Sequence, residues 1–327
     1  MVIIMSDDIL KKCRLCPRNC LVNRYIDVGF CGASSDIKLA RADLHYYEEP
    51  SISGISGSGA VFFSGCNLRC VFCQNYHISN ECFGKFVSID RMANIFLELQ
   101  DRGANNINLV TGTPYIPHIV KALDMAKKKG LVIPIIYNSS GYESVFALRM
   151  LEGYVDVYLP DMKYYDSKYG LCYSKCDNYF EICKDVLKEM YRQVGSICFD
   201  KNGLIEKGMI VRHLVMPNMV NDSKKVIKYL YDTYGDNIYI SIMNQYTPNG
   251  KLNKYKEIDR VISESEYDEV INYAIDIGVN NAYIQEGDTA DEKISGNSTD
   301  SDIDDHACRG SGSRIYFIPR VQTVKRA

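Results

Sequence analysis

Residues 60–75 read AVFFSGCNLRCVFCQN. A short apolar run closes at Ser64 and Gly65, and three cysteines follow at once, Cys66, Cys70 and Cys73, spaced C-x3-C-x2-C. The run reads as a buried strand, and the cysteines as a tight loop at its C-terminal end. Outward from this point the pattern repeats. Further apolar runs bounded by Gly, Asn or Pro stand at 106–111, 131–137, 154–159, 208–216, 237–243 and 281–285. Helical periods lie between them. Met92, Ile95, Phe96 and Leu99 share one face, with Ser88 as cap and Gly103 as stop. Ile119, Ala122, Leu123 and Ala126 repeat this before Gly130, and Val226, Ile227 and Leu230 before Gly235. Val270, Ile271, Ala274 and Ile277 do so before Gly278, with a capping box predicted from Ser263 to Glu266. Buried strands alternating with amphipathic helices imply an α/β fold, a parallel sheet covered by helices. Six or seven such units predict a partial (β/α)6 TIM-like barrel, with its chemistry on loops at the strand C-termini. An open doubly wound sheet is the alternative, and periodicity alone does not separate the two.

The flanks differ. Residues 1–59 lack the rhythm and carry Cys13, Cys16, Cys20 and Cys31, so they predict a small metal-tied, cysteine-rich cap on a barrel of residues 60–286. Residues 287–327 form an acidic low-complexity tail. From 287 to 313 it has seven acids against two bases and many Ser, Gly and Asn, the composition of a disordered segment. The whole chain has 327 residues, net charge −3, 46% hydrophobic and 24% charged residues. That is enough apolar matter for a sizeable core. No run of about 18 apolar residues predicts a membrane span, and the opening MVIIMSDD is too short in apolar residues for a signal peptide. The near-neutral charge argues against a nucleic-acid partner.

Thirteen cysteines, most of them clustered in a chain without an export signal, predict metal ligation in a reducing cytosol. Three closely spaced thiolates ligate soft metals or an iron–sulfur cluster. Three ligands on a four-iron cluster leave one iron open, the mark of a catalytic rather than a structural centre. The competing readings are a structural zinc site with Cys82 as fourth ligand, or three buried structural cysteines. Cys13, Cys16, Cys20 and Cys31 have the count and spacing of a four-thiolate site, zinc or iron–sulfur.

The C-x3-C-x2-C loop with Phe72 before Cys73 resembles the signature of the radical S-adenosylmethionine (radical SAM) superfamily. The strings CRLCPRNC, GFCG, HYYEEPSISG, INLVTGTPYIPHI, PIIYNSSGYES, VDVYLPDMKYY, VRHLVMP and SIMNQYTP resemble, more narrowly, proteins related to the pyruvate formate-lyase activating enzyme (PflX-like), over about residues 13–286. The resemblance implies a [4Fe-4S] cluster on Cys66, Cys70 and Cys73, and S-adenosylmethionine bound at its open iron. Reductive cleavage would give a 5′-deoxyadenosyl radical that takes hydrogen from a substrate.

By position, the resemblance implies that Phe72 meets the adenine. Thr111-Gly112-Thr113-Pro114 stands where the family carries a Gly-Gly-Glu-Pro-like string toward the methionyl amino group, and the acid is missing. Asn138, with Ser139 and Ser140, follows the third strand where the relatives carry Asp-Thr-Asn. Asp161 and Lys163 match an Asp-x-Lys pattern, whose lysine can hold the cofactor carboxylate. The Arg212 guanidinium suits a carboxylate or ribose. Each has a bland counterpart: a core aromatic for Phe72, a solvated ion pair for Asp161 and Lys163, a salt bridge in the barrel mouth for Arg212. Glu48 and Glu49 read either as facing substrate over the mouth or as a solvated charge pair. His45, His77, His118 and His213 lack mutual spacing, and no metal or base role is assigned to them. No residue is assigned to catalysis directly.

The expected protein is a cytosolic radical SAM enzyme served by flavodoxin or ferredoxin. Its substrate would be a glycyl-radical-type partner protein or, alternatively, a small molecule or peptide. A plain iron–sulfur electron carrier is the non-enzyme reading, with no need for Asp161 or Lys163. One-electron chemistry tilts the N-terminal cysteine group toward iron–sulfur.

Overall fold

A computed structural model describes residues 8–286 and the backbone of Arg314–Phe317. The compositional reading of 287–313 lies outside those residues. After a one-turn helix α1 (Asp8–Lys11) the chain runs irregularly past the first cysteines into β1 (Ile37–His45). It turns through α2 (Pro50–Ser53) into β2 (Ser58–Phe63), the cysteine loop, α3 (Tyr76–Ser79) and β3 (Lys85–Val87). Then come α4 (Ile89–Asp101), β4 (Ile107–Val110), α5 (Ile116–Lys128), β5 (Ile135–Ser139), α6 (Val145–Arg149) and β6 (Val157–Pro160). The second half holds α7 (Ser167–Ser174), α8 (Tyr179–Val194), β7 (Cys198–Phe199), β8 (Ile205–Leu214), α9 (Val220–Tyr234), β9 (Tyr239–Met243), α10 (Glu264–Asp276), β10 (Ala282–Glu286) and β11 (Arg314–Phe317).

The strand order is β11-β10-β9-β8-β6-β5-β4-β2-β1-β3. From β2 to β10 every neighbouring pair is parallel, and the order follows the chain without reversal. A doubly wound sheet needs a reversal of strand order, so that alternative is excluded. The sheet is strongly curved. Side chains of Asn108 on β4 and Arg212 on β8 meet the carboxylate of Glu48, and Ser241 on β9 meets that of neighbouring Glu49. In a flat sheet β4 and β9, four strand spacings apart, would be separated by about 19 Å. Convergence on two adjacent residues bends the sheet into an open, partial barrel. Antiparallel β1 extends it beyond β2, and antiparallel β11 pairs with β10. Residues 37–45, grouped with the cap by sequence rhythm, thus continue the barrel sheet.

The helices form as their sequences dictate. Ser88 caps α4 by accepting from the Arg91 amide, and Met92, Ile95, Phe96 and Leu99 are buried against the sheet. Ser263 and Glu266 form the capping box of α10. Inside the barrel a separate apolar cluster gathers Ile136, Val157, Leu159, Ile210, Tyr239 and Tyr283 around Ile52 of α2. Ile136, Leu159, Ile210 and Tyr239 each lie two positions toward the strand N-terminus from Asn138, Asp161, Arg212 and Ser241. The segment 46–57, entering from the far end of β1, therefore plugs the bottom of the barrel.

Candidate active site

The cysteine loop leaves β2 through Gly65, at φ +85°. A Cβ there would lie 2.5 Å from the Cys31 carbonyl oxygen, so only glycine allows the N-terminal cysteine segment to approach. The Cys66 amide donates to that carbonyl at 3.2 Å. The rest of the loop is pinned on all sides. Arg69 donates to the Phe30 and Asn80 carbonyls at 3.1 and 2.5 Å, and Arg18 to the Asn67 carbonyl at 2.9 Å. The Val71 amide reaches the Tyr173 carbonyl at 2.9 Å, and Asn249 reaches the Val71 carbonyl at 2.8 Å.

Cys66 and Cys70 are buried and Cys73 half-buried. Burial pushes the Cys66 thiol up to about 11, and raises Cys70 and Cys73; the Lys163 ammonium pulls all three back. Hydroxyl donors meet two of the sulfurs, Ser174 at 2.9 Å from Cys70 and Ser79 at 3.2 Å from Cys73. The Leu68 amide points at the Cys66 sulfur at 3.4 Å. Buried thiolates with few cations nearby need positive charge from a metal centre. Thiolates of an iron–sulfur cluster each bind their own iron, so they surround a volume rather than a point. The three sulfurs on one rigid loop fit a cluster on that count.

Asp161, at the C-terminal end of β6, lies below the loop. Its carboxylate takes Lys163 Nζ at 2.6 Å and Arg212 Nε at 2.9 Å. Arg212 also donates through Nη1 to Glu48 at 3.2 Å and through Nη2 to the Asn138 side-chain oxygen Oδ1 at 2.7 Å. Asn108 and Asn138 amides donate to the other oxygen of Glu48 at 3.1 and 3.3 Å. Burial pushes Asp161 up, but Arg212 and Lys163 outweigh it and leave the carboxyl below its ordinary value. For Glu48 and Glu49 burial wins, and both carboxyls are raised. Burial lowers Lys163, but Asp161 and Cys70 reverse that and raise it.

The sequence-selected residues fall into groups. Cys66, Cys70 and Cys73 form the loop; Asn138, Asp161, Lys163 and Arg212 form one ionic chain beside it. Phe72 is buried, its ring 5.8 Å from that of Tyr246. Thr111 adopts φ +60°, and its amide donates to the Asn138 carbonyl at 2.8 Å. A Cβ on Gly112 would meet the Ile119 side chain at 2.7 Å. Thr113 is buried and donates to Glu143 at 2.9 Å. Glu48 and Glu49 occupy neither place considered for them. They enter from below and stand inside the barrel.

Glu143 escaped the sequence reading. It is buried, and Thr113 and Ser139 hydroxyls each hold one of its oxygens, at 2.9 and 3.2 Å. Burial pushes it up to about 7. The signal was available, since it is the sole acid between Gly130 and Leu151 and follows a strand end.

In the N-terminal group Cys13 and Cys31 are buried and Cys20 exposed. Burial pushes Cys16 up to about 12, with Cys31, Cys13 and Cys20 close enough to add to the effect. The sulfurs of Cys20 and Cys31 flank Gly29. Cys82, considered as a fourth ligand to the triplet, instead lies with its sulfur 3.7 Å from the Cys31 carbonyl and against Gly32. Among the described residues no three or more His, Cys, Asp or Glu side chains are arranged around a single metal ion.

The model of the radical SAM superfamily matches residues 60–192. An uncharacterised protein of Methanocaldococcus jannaschii, MJ0674, is 33% identical over 281 residues, covering 83% of this chain and 76% of that protein. Residues 60–192 are a radical SAM domain. Radical SAM membership brings with it a [4Fe-4S] cluster and S-adenosylmethionine. Among solved structures, Streptococcus suis SuiB bound to its precursor peptide SuiA is 14% identical, with TM-score 0.46, over 68% of this chain and 46% of that one. SuiB bound to S-adenosylmethionine is 13% identical with the same TM-score, over 68% of this chain and 48% of that one. This chain thus spans less than half of the SuiB chains. Among the described residues no helix is long and apolar enough to cross a membrane.

Proposed function

We propose that this radical SAM protein cleaves S-adenosylmethionine at Cys66, Cys70 and Cys73 and directs the resulting radical at a substrate held inside the barrel. Held by Cys66, Cys70 and Cys73, a [4Fe-4S] cluster would supply the one-electron reduction that cleaves the sulfonium. The chain's own residues do the rest. The pinned loop fixes the three thiolates. Lys163, drawn toward the sulfurs while tied to Asp161, offers its remaining donors to the cofactor carboxylate. Thr111, Gly112 and Thr113 present a backbone turned by the positive φ of Thr111. The carboxylate missing from that string arrives from the neighbouring strand end as Glu143, through Thr113. Phe72 and Asn138 border the adenosine side, and the barrel walls keep water from the radical.

The observation that carries this reading is the ionic chain Glu48–Arg212–Asp161–Lys163, which runs from the barrel interior to the cysteine loop. A plain electron carrier has no use for it. Electrons come from a flavodoxin or ferredoxin in the cytosol. Cys13, Cys16, Cys20 and Cys31 would hold a second centre, zinc or, as one-electron chemistry favours, iron–sulfur, and the segment touches the cysteine loop through the Cys66 amide and the Cys31 carbonyl. The strings shared with pyruvate formate-lyase activating enzymes favour radical transfer to another molecule. The enclosed polar interior favours a small molecule or a peptide side chain over a folded glycyl-radical partner, which would have to thread a loop into the mouth.

Electron paramagnetic resonance on the reduced, anaerobically reconstituted protein tests this. Addition of S-adenosylmethionine should change the cluster signal, because the cofactor binds an iron directly. An unchanged signal at saturating cofactor would overturn the proposal.

A further inference from the structure

We propose that the floor of the barrel, at Glu48 and Glu49, binds a cationic group of the substrate, an ammonium or a guanidinium. This rests on the radical SAM reading of the cysteine loop above it. Acids outnumber bases in this layer. Three carboxylates, Glu48, Glu49 and Asp161, face two cations, Arg212 and Lys163. Every nitrogen of Arg212 is already engaged, with Asp161, Glu48 and Asn138. Lys163 is committed to Asp161 on the cysteine side.

Hydrogen bonding points the same way. Glu49 is 4% exposed and Asn108 0%, yet Glu49 Oε2 and Asn108 Oδ1 have no hydrogen-bond partner. The Asn108 amide is bound to Glu48, so its bare oxygen belongs to the same layer. Buried acceptors left unpaired are costly. Both lack a donor, and a cation supplies donors and charge together. An anion would meet an arginine already paired with two carboxylates, in a layer lined by three acids.

The layer is also reachable. Although encircled by strands, the Glu48, Arg212, Asp161 and Lys163 side chains keep 10%, 15%, 15% and 17% exposure. The cluster around Ile52 closes the barrel below, so the approach lies on the cysteine side. A substrate anchored by its cation on the floor turns its carbon atoms up toward the cysteine loop, where the radical is made.

The test uses the full, anaerobically reconstituted protein and three probes of equal length: n-butylammonium, 1-butanol and butyrate. Saturation-transfer NMR and calorimetry should show saturable binding of the ammonium alone. In Glu49→Gln that affinity should fall by about 30-fold or more, the usual effect of losing one partner of a buried charge pair. Equal binding of butanol or butyrate, or undiminished ammonium binding to folded Glu49→Gln, would overturn the inference. Should that variant not fold, the wild-type probe series decides alone. Production of 5′-deoxyadenosine by the wild type is measured in parallel. Its absence counts against the radical reading, whereas its presence without selective cation binding counts against this inference only.

Discussion

The hydroxyl of Ser174, at the end of α7, donates to the sulfur of Cys70 across 2.9 Å, while Tyr164 holds the serine oxygen from behind at 2.8 Å. Hydrogen bonds to cluster sulfurs favour the reduced, more negative state. Ser174→Ala should therefore lower the cluster potential. A net hydrogen bond of ~1 kcal/mol corresponds to about 40 mV for one electron. A redox titration followed by electron paramagnetic resonance reads the shift. An unmoved potential would contradict the assignment of Cys70 as a cluster ligand.

Gly65 decides whether the two cysteine segments can touch. Alanine there must adopt φ +85° with its Cβ 2.5 Å from the Cys31 carbonyl oxygen. Strain of this kind costs about 1–3 kcal/mol before any clash is counted. Gly65→Ala should lower the midpoint of chemical denaturation accordingly and reduce iron content. Wild-type values of both would show that the contact is dispensable.

Arg212 neutralises Glu48 and Asp161 together. Arg212→Met leaves Glu48 without its cation and Asp161 with Lys163 alone, and should destabilise the fold by about 3–5 kcal/mol. Adding Glu48→Gln should recover part of that loss, because the one orphaned charge is then gone. A double-mutant cycle on denaturation free energies measures the coupling. Strict additivity would deny the ionic chain.

Glu143 gives a pH signature. Burial raises its folded pKa to about 7, above the ordinary value of 4.5. The folded state then binds a proton that the unfolded chain has released, so the contribution is fully present below about pH 4.5 and is lost as pH rises through about 7. The span is roughly 3 kcal/mol. Glu143→Gln should flatten this fall, and it should gain on the wild type at pH 8 but not at pH 4. Parallel stability curves for the two proteins would refute it.

The sequence already carried the strand–helix alternation, the cysteine loop and the α10 capping box, because each is a local pattern of period or spacing. What it did not carry depends on contacts between distant segments. Glu48 and Glu49 stand beside Pro50 in a stretch with the look of a surface turn, and nothing local shows that the chain there crosses under the barrel. Asp161 and Arg212 were legible as single charged residues at strand ends. Their sharing of one ionic chain follows from strand register across β6 and β8. Glu143 was missed because the acid was sought on the β4 loop, whereas it reaches Thr113 from the β5 loop. The open curvature of the sheet likewise follows from side chains of five strands meeting in one place, which periodicity does not encode.

The most direct measurement is 5′-deoxyadenosine formation, by mass spectrometry, from the reduced and anaerobically reconstituted protein with S-adenosylmethionine. The control carries Cys66→Ala, Cys70→Ala and Cys73→Ala. Product in the wild type that vanishes in the control is the predicted result. A wild-type protein with a full complement of iron and sulfide that makes none would contradict the account.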